Sequence, residues 1–327
     1  MKIAVVILNW NGQAILERFL PNVLKHSQSL AAVYVVDNAS TDESVSYVQN
    51  NFPHVNLIRH QHNLGYAEGY NHAIGQIDAE ILCLMNNDVQ TSNGWLQPMI
   101  DAFNRNPLMA LAQPKILDLN RPSHFEYAGA SGGFLDRFGF PYCRGRIFNH
   151  LEEDRHQYPT AEVFWASGAC LFVRKNVFQS LNGFDTSFFA HMEEIDLCWR
   201  AKRQGQQVWA ITESCVFHLG GGTLNYGSPQ KTRLNFRNSL FMLVKNTQKH
   251  LTFVLIIRLL LDGLAAWRFL LQGKPSHFGA VFMAHMDLYR QGRSYLKKRT
   301  KSLKTIILDS SVVWKYYILG QKTFDKL

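Results

Sequence analysis

The chain has 327 residues, of which 46% are hydrophobic and 13% aromatic, and it carries a formal net charge of +9. This composition supports a sizeable core and excludes an intrinsically disordered chain, and the length favours one main domain with an appendage. The positive charge indicates an anionic partner, for which nucleic acid, a nucleotide and a membrane surface are the classes to consider.

Short apolar runs typical of strands alternate with helical patterns from the N-terminus onward. The predicted strands are residues 3–8, 32–36, 55–59 and 79–85, and the predicted helices are residues 13–26, 42–52 and 66–77. Repeated strand–helix–strand units indicate a parallel sheet with helices on both faces. We therefore expect an α/β protein with a Rossmann-like, mixed and mainly parallel sheet.

The middle of the chain is less regular. Residues 107–164 are rich in glycine and aromatic residues, and we expect them to form loops that line a substrate cleft. The elements predicted beyond this segment are strands at 166–173 and 208–211 and a helix at 193–204.

The composition changes after about residue 240. The apolar segment 251–271 contains Arg258, Asp262 and Arg268. A charge at the centre of a bilayer costs roughly 2.5–3.5 kcal/mol on insertion scales, so a helix in the membrane plane or packed on protein is preferred to a membrane span. The predicted domains are residues 1–240 and a helical, basic, membrane-peripheral region, residues 241–327.

Polar clusters follow three of the predicted strands, at residues 9–12, 37–41 and 86–88. In open parallel sheets, ligands bind beyond the carboxyl ends of the strands. Asp37 in the second cluster is placed either to accept hydrogen bonds from a nucleobase or ribose, or to cap the next helix. Asp88 in the third is placed either to bind a hard cation beside a diphosphate, or to form an ordinary turn.

Two further positions carry candidate chemistry. His218 precedes a run of three glycines, where it is either a second metal ligand near phosphate or a structural histidine. Glu193, Glu194 and Asp196 open a predicted helix. They provide either a general base with a raised pKa or favourable charges at the helix N-terminus.

Together these residues resemble family 2 glycosyltransferases of the GT-A fold, particularly the rhamnosyltransferase-like bacterial branch. The matching stretches are residues 7–12 (ILNWNG), 36–42 (VDNASTD), 63–71 (NLGYAEGYN), 84–89 (LMNNDV), 168–170 (GAC), 183–185 (GFD), 193–200 (EEIDLCWR) and His218. Each stretch is weak alone, but they occur in the family's order over about residues 2–240, and this order makes the set specific.

The resemblance implies a set of binding residues. The donor-binding residues would be Asn9, Trp10, Asn11, Asp37, Asn38, Asn63, Gly65, Gly69, Asn87 and Arg237, with Trp165, Ser167 and Gly168 bordering the acceptor. Asp88 matches the last acid of the family's DXD motif, and His218 matches a position that completes the metal site in some relatives. The expected cofactor is therefore Mg²⁺ or Mn²⁺. Asn86 replaces the first acid of the motif.

The resemblance also implies an inverting single displacement, in which a carboxylate takes the proton of an acceptor hydroxyl. Glu194 aligns with the aspartate of the family's Glu-Asp base motif and is one methylene longer, so Glu193 or Asp196 could serve instead. The implied donor is a dTDP- or UDP-sugar, dTDP-rhamnose among them. The implied acceptor is a glycan or lipid-linked hydroxyl in cell-surface polysaccharide synthesis.

The remaining features bear on location and on rival functions. Five cysteines without metal-site spacing indicate free thiols in a reducing compartment. The apolar segment and the basic run 297–304 predict either an anionic membrane surface on the cytoplasmic side or a packed helical appendage. A non-catalytic relative of the same fold stays an alternative. A dehydrogenase is disfavoured because no G-x-G-x-x-G follows the first strand, and nucleic acid because the basic residues cluster in one tail.

Overall fold

The computed structural model describes residues 1–220, 227–300, 306, 308 and 310–327. The strands of its main sheet are β1 (Ile3–Asn9), β2 (Ala32–Asp37), β3 (Asn56–Arg59), β4 (Ile81–Asn86), β5 (Val89–Thr91), β6 (Met109–Asp118), β7 (Arg121–Phe125), β12 (Ala161–Val163), β13 (Cys170–Arg174) and β14 (Gln207–His218). A four-stranded sheet contains β8 (Gly133–Leu135), β9 (Pro141–Cys143), β10 (Arg146–Ile147) and β11 (His150–Leu151).

Helices cover both faces of the main sheet and form the C-terminal region. They are α1 (Gln13–Ser27), α2 (Ser44–Asn51), α3 (Gly65–Ile74), α4 (Leu96–Arg105), α5 (Lys175–Ser180), α6 (Glu193–Arg203), α7 (Pro229–Asn246), α8 (Leu251–Leu271), α9 (Pro275–Lys297) and α10 (Val312–Tyr317). Short 3-10 helices lie at Thr186–Phe188 and Phe324–Lys326.

The main sheet is mixed. Its strand order is β12-β14-β6-β13-β4-β1-β2-β3, with β5 on β14 and β7 on β6. The strands β3, β2, β1 and β4 run parallel, β13 is antiparallel to β4 and β6, and β14 is parallel to β6. The predicted mixed α/β sheet with flanking helices is confirmed.

Alternate side chains of the central strands enter two separate apolar layers. In β1, Ala4 and Val6 belong to one layer, while Val5 and Ile7 belong to the other. Such a strand is buried on both faces, which is why it reads as a continuous apolar run. The polar residues that follow each run are left at the carboxyl edge of the sheet.

The prediction of loops over residues 107–164 is wrong for a large part of that segment. It contains the ten-residue strand β6 at the centre of the sheet, the small sheet β8–β11 and the short strands β7 and β12. The pattern did not predict β6 because Gln113 and Lys115 interrupt its apolar run. Gln113 finds buried partners in the carbonyl groups of Pro114 and Gly129, and Lys115 Nζ pairs with Asp154 Oδ2 at 2.5 Å.

The C-terminal helices pack on the sheet domain without a linker at the predicted division, because residue 240 lies inside α7. In the part of the chain that the structure describes, no helix is both long and apolar enough to cross a membrane. Two residues of the predicted basic run contact the rest of the protein, while Lys297 is exposed. Lys298 Nζ contacts Asp185 Oδ1 at 2.7 Å, and Arg299 donates to the carbonyl group of Val244 at 2.8 Å, while Lys301 and Lys304 lie outside the described residues.

Candidate active site

The polar residues after β1 and β4 contact one another at the carboxyl edge of the sheet. Asn87 Nδ2 donates to Asn9 Oδ1 at 2.9 Å, and both side chains are buried. A Cβ atom at Gly12 would lie 2.4 Å from Asn9 Oδ1, so only glycine leaves room for this contact. The side chain of Trp10, in contrast, is 44% exposed.

Asp37 presents an unused acceptor at the same edge. Its Oδ2 accepts the Ser40 backbone N–H at 3.1 Å. Its Oδ1 is buried and has no hydrogen-bond partner among the described residues. A buried carboxylate oxygen without a partner is costly, so the arrangement suits an N–H or O–H group of a ligand.

Other predicted donor-binding residues are engaged with the protein itself. Asn38 donates to Asn63 Oδ1 at 2.9 Å and to the Gly65 carbonyl at 3.0 Å, so its amide fixes the entry to α3. Asn11 accepts the Thr41 N–H at 2.7 Å. A Cβ atom at Gly69 would lie 3.2 Å from Leu8, which makes this glycine a packing position between α3 and β1.

Asp88 and His218 form the predicted pair. Asp88 Oδ1 lies 3.0 Å from His218 Nε2, and both side chains are buried. Glu126 Oε2 lies 3.4 Å from Nδ1 on the other side of the imidazole, and Asn86 Nδ2 is 3.3 Å from Nε2. Burial lowers the pKa of His218, but the contact with Asp88 and the nearby charge of Glu126 outweigh burial and raise it to about 10.

A divalent cation held by this pair would take the place of the proton that His218 shares with Asp88. The 3.0 Å between Oδ1 and Nε2 is a hydrogen-bond distance, and it is also close to the separation of about 3.0 Å between adjacent ligands of an octahedral Mg²⁺. Glu126 is placed as the carboxylate that orients a ligating imidazole. No group of three or more His, Cys, Asp or Glu residues suited to a metal occurs in the described ranges. The protein therefore offers two ligands, and the rest of a coordination shell would come from elsewhere.

Glu193 and Glu194 are adjacent at the start of α6, and the charge of Glu194 acts on Glu193. Each has a buried Oε2 atom that lacks a hydrogen-bond partner in the described part of the chain. Burial, with the charge of Glu194 added, raises the pKa of Glu193 well above its usual range. Burial also raises the pKa of Glu194, to about 7. Backbone N–H groups, including that of Gly168, favour its charged form and partly oppose this rise.

Asp196 belongs to a buried ion-pair network instead. Arg200 Nε lies 2.7 Å from its Oδ2, Lys245 Nζ lies 2.8 Å from the same atom, and Asn246 donates to Oδ1 at 2.7 Å. Burial would raise the pKa of Asp196, but the charges of Arg200 and Lys245 hold it below its usual value. All of its acceptor capacity is directed into the protein.

The backbone ahead of the two glutamates adopts a rare conformation. Phe189, His191 and Met192 have φ angles of 64°, 72° and 74°, in the left-handed region that disfavours non-glycine residues. Asn238 of α7 holds this turn, because its Nδ2 lies within 3.0 Å of the carbonyl oxygens of residues 188, 190 and 191. Arg237, predicted to bind the donor, donates to the Phe188 carbonyl at 3.2 Å.

The turn at residues 189–192 and the two glutamates that follow it are termed the acid turn. This turn and the Asp88–His218 pair lie at the same edge of the sheet. The Asn86 N–H donates to the Ala169 carbonyl at 3.0 Å, so the segment before β13 lies beside the end of β4. Glu194 borders Gly168 in that segment, with its Cβ 3.8 Å from where a Cβ of Gly168 would stand. Tyr66 donates to the Gly168 carbonyl at 2.8 Å and closes the gap towards α3.

Of the predicted acceptor residues, only Gly168 borders the glutamates. Trp165 is buried, donates to the Phe134 carbonyl at 2.9 Å and packs on Gly133. Ser167 is also buried and donates to the Ala128 carbonyl at 2.7 Å. The side chain of Trp165 therefore packs on the small sheet, and that of Ser167 packs on the segment that precedes it, at residues 128–129.

The residues that the sequence did not indicate are Glu126, Tyr66 and Asn238. Tyr66 falls within the matched stretch 63–71 and Asn238 directly follows Arg237, but both side chains are uncharged. Glu126 follows the short strand β7 and reaches His218 only through the pairing of β7 and β14 with β6. Such long-range pairing has no local sequence signal.

Comparisons with known proteins identify the family of this chain. The family model described as Glycosyl transferase family 2 matches residues 4–181, more than half of the chain. Over 232 residues the chain is 29% identical to N-acetylglucosaminyl-diphospho-decaprenol L-rhamnosyltransferase of Mycobacterium tuberculosis, covering 65% of this chain and 75% of that protein.

Solved structures show the same fold. The chain is similar to S. aureus TarS 1–349 in complex with UDP-GlcNAc, with a TM-score of 0.58, 14% identity, and coverage of 90% of this chain and 88% of that one. It is also similar to the mannosyltransferase PcManGT from Pyrobaculum calidifontis in complex with GDP-Man and Mn²⁺, with a TM-score of 0.53, 14% identity, and coverage of 91% and 83%. The chain therefore belongs to glycosyl transferase family 2.

Proposed function

We propose that this protein is an inverting, metal-dependent glycosyltransferase that moves a sugar from a nucleoside diphosphate donor to a hydroxyl of a lipid-linked glycan. One observation carries the proposal. The Asp88–His218 pair, which suits a cation, and the buried Glu193–Glu194 pair, which suits a base, lie at the same edge of the sheet, joined through Asn86 and residues 168–169.

The donor would lie along the carboxyl ends of β1, β2 and β4. The unpartnered Asp37 Oδ1 would accept a hydrogen bond from the base or ribose. Asn9 and Asn87, joined to each other at 2.9 Å, form the floor between that oxygen and Asp88. Neighbours solved with UDP-GlcNAc and GDP-Man support a nucleotide-sugar donor of this kind. We propose a dTDP- or UDP-sugar, with dTDP-rhamnose as the first to test.

Asp88 and His218 would hold Mg²⁺ or Mn²⁺. When bound, the ion would supply positive charge beside the departing diphosphate. Asp88 contributes a negatively charged oxygen. Burial would raise the pKa of this carboxyl, but the hydrogen bond and charge of His218 lower it below its usual value. Glu126 fixes the ring of His218, since it contacts the nitrogen that faces away from Asp88.

Glu194 is the proposed general base. A carboxylate whose pKa is raised to about 7 is both ionised and basic enough near neutral pH to take a proton from an acceptor hydroxyl. Glu193, whose pKa burial and the charge of Glu194 raise well above its usual range, would keep its proton beside an ionised Glu194. Asp196, which pairs with two cations, would act only in support of α6.

We propose that the acceptor is lipid-linked and that the enzyme is peripheral on the cytoplasmic face of an anionic membrane, in cell-envelope polysaccharide synthesis. The name of the mycobacterial relative, which includes a diphospho-decaprenol acceptor, supports the first part. The five free cysteines fit a reducing compartment. Residues 241–327 carry 15 lysine and arginine residues against four aspartates, which favours an anionic surface.

A non-catalytic relative of the same fold is the alternative, favoured only by Glu194 in place of aspartate. The test is the hydrolysis and transfer of dTDP-rhamnose, UDP-glucose and UDP-GlcNAc by the purified full chain, with Mn²⁺ and with EDTA. We expect Mn²⁺-dependent turnover of one donor and its loss, by at least about a hundredfold, in Asp88→Ala. Donor turnover unchanged in Asp88→Ala would refute the metal mechanism, and no turnover of any donor would favour the alternative.

A further inference from the structure

Helix α8 directs its apolar side chains outward. The residues that form this line, termed the α8 stripe, are Phe253, Ile256, Leu260, Leu264, Trp267 and Leu271. They recur every three or four residues and so lie on one side of the helix. Their exposed fractions range from 53% at Ile256 to 86% at Leu271. A helix on a protein in water normally has the opposite arrangement.

The inward side of α8 holds a buried ion pair beside Val254, Leu255 and Leu259, which pack against the core. Arg258 Nε lies 2.8 Å from Asp262 Oδ1, and both residues are buried. Arg258 Nη1 also donates to the carbonyl group of Phe138 at 3.0 Å, and its guanidinium lies 3.9 Å from the ring centroid of Phe140. A rotation of α8 that buried the stripe would break these contacts. The outward position of the stripe is therefore built into the fold.

Neighbouring helices extend the apolar surface. Trp267 contacts Phe278 of α9 at a ring-centroid distance of 5.6 Å, and Phe282, one turn further along α9, is 55% exposed. Arg268 donates to the Tyr317 hydroxyl at 2.9 Å, which places α10 and its exposed Ile318 beside the end of the stripe. A contiguous apolar surface of this kind marks an interaction site.

The charges around this surface have one sign. The exposed charged residues of α8 and α9 are Arg268, Arg290, Arg293 and Lys297. The only acids in these two fully described helices, Asp262 and Asp287, are buried and paired with arginines. An apolar face rimmed by cations suits an anionic lipid surface. A second copy of the chain would instead bring two cationic rims together, which is unfavourable.

We propose that the α8 stripe inserts into the acyl-chain region of an anionic bilayer, with α8 parallel to the membrane plane. The inference deepens the membrane location in the proposed function and rests on it. Basic residues at the rim would lie at the headgroups, while the stripe provides most of the binding. Binding would therefore persist at salt concentrations that remove purely electrostatic attraction.

The test is vesicle binding by the full chain, with vesicles of phosphatidylcholine alone and of phosphatidylcholine with phosphatidylglycerol, at low and high salt. The stripe variant combines Ile256→Ser, Leu260→Ser and Leu264→Ser. Its matched control combines Leu30→Ser and Leu108→Ser, which are exposed apolar residues of the sheet domain. We expect the stripe variant to partition about a hundredfold or more weakly than the wild type, and the control to match the wild type.

Depth is read from tryptophan fluorescence. Acyl-chain-brominated lipid should quench the wild type, and Trp267→Phe should remove most of that quenching. Insertion would be refuted if the stripe variant bound vesicles as well as the wild type, or if wild-type binding showed no quenching and disappeared at high salt. It would also be refuted if the wild type did not bind vesicles but formed a concentration-dependent dimer that the stripe variant did not form. Donor turnover measured in detergent is an independent test, because the stripe variant should keep the wild-type rate. If wild type, stripe variant and control all failed to turn over donor, that result would refute the transferase activity and leave the membrane proposal standing.

Discussion

The choice of base between Glu193 and Glu194 leads to a sharp prediction. We expect Glu194→Gln to reduce kcat by roughly a hundred- to ten-thousandfold, which is the usual contribution of a general base. Glu193→Gln should leave kcat within a few-fold, because a carboxyl whose pKa is raised well above its usual range is already neutral at working pH. Glutamine keeps the size and neutrality of that group. The two variants are therefore matched in size and differ only in which acid they remove.

The pH dependence adds a second measurement. With a pKa of about 7 for Glu194, the ionised fraction is about one tenth at pH 6 and about nine tenths at pH 8. The kcat of wild type should therefore rise about tenfold across that range and then level. Glu193→Gln should show the same midpoint, and Glu194→Asp, which restores the family's aspartate, should retain more activity than Glu194→Gln.

The assay is initial-rate donor turnover at saturating donor and Mn²⁺ from pH 5.5 to 9, with circular dichroism on each variant to confirm folding. Loss of turnover in Glu193→Gln with retention in Glu194→Gln would assign the base to Glu193. A kcat independent of pH between 6 and 8 in the wild type would refute the raised pKa as the source of the base.

Three further predictions concern residues around the site. Glu126→Gln should weaken Mn²⁺ binding, measured by calorimetry, by about ten- to a hundredfold, because it no longer fixes the ring of His218, whereas the exposed Glu153→Gln should not. Asn238→Ala should lower kcat more than it raises the donor KM and shift the pH midpoint downward, since the turn before Glu193 would open to water. Asp196→Asn should cost about 3–5 kcal/mol in the free energy of unfolding, measured with denaturant. The pKa of Asp196 is lowered in the folded state, so this group stabilises the wild type fully above its unfolded pKa of about 4. This contribution to the free energy of unfolding is lost as the pH falls from about 4 through the folded pKa. Asp196→Asn should lack this pH dependence.

Strand ends were the most predictable part of the site. A buried parallel strand must be apolar throughout, so the first polar residue marks its exit, and Asn9, Asp37 and Asn86 are the last residues of β1, β2 and β4. These three residues also share an edge, because parallel strands align their carboxyl ends. The position of the proposed donor site thus follows from the alternation of apolar runs and polar clusters.

The other half of the site depends on pairings that sequence does not reveal. His218 is opposite Asp118 through the parallel pairing of β14 with β6, across a bulge between Ile211 and Cys215. Patterning therefore predicted only residues 208–211 of β14 and missed β6, whose polar side chains interrupt its apolar run. Arg237, which the resemblance implies as a donor-binding residue, donates to the carbonyl of Phe188, a contact that the sequence does not reveal.

The C-terminal helices support the acid turn as well as forming the apolar surface. Tyr295 of α9 donates to Ser187 Oγ at 2.8 Å, and its ring stacks on Phe241 of α7 at a centroid distance of 4.0 Å. Lys245 of α7 bridges Asp185 and Asp196 on either side of the turn. Since a buried charge left without its partner is strongly destabilising, removal of these helices would disrupt the very turn that carries Glu194. The region after residue 240 therefore supports the turn before the proposed base, and α7 and α9 connect that turn to α8, the proposed membrane contact.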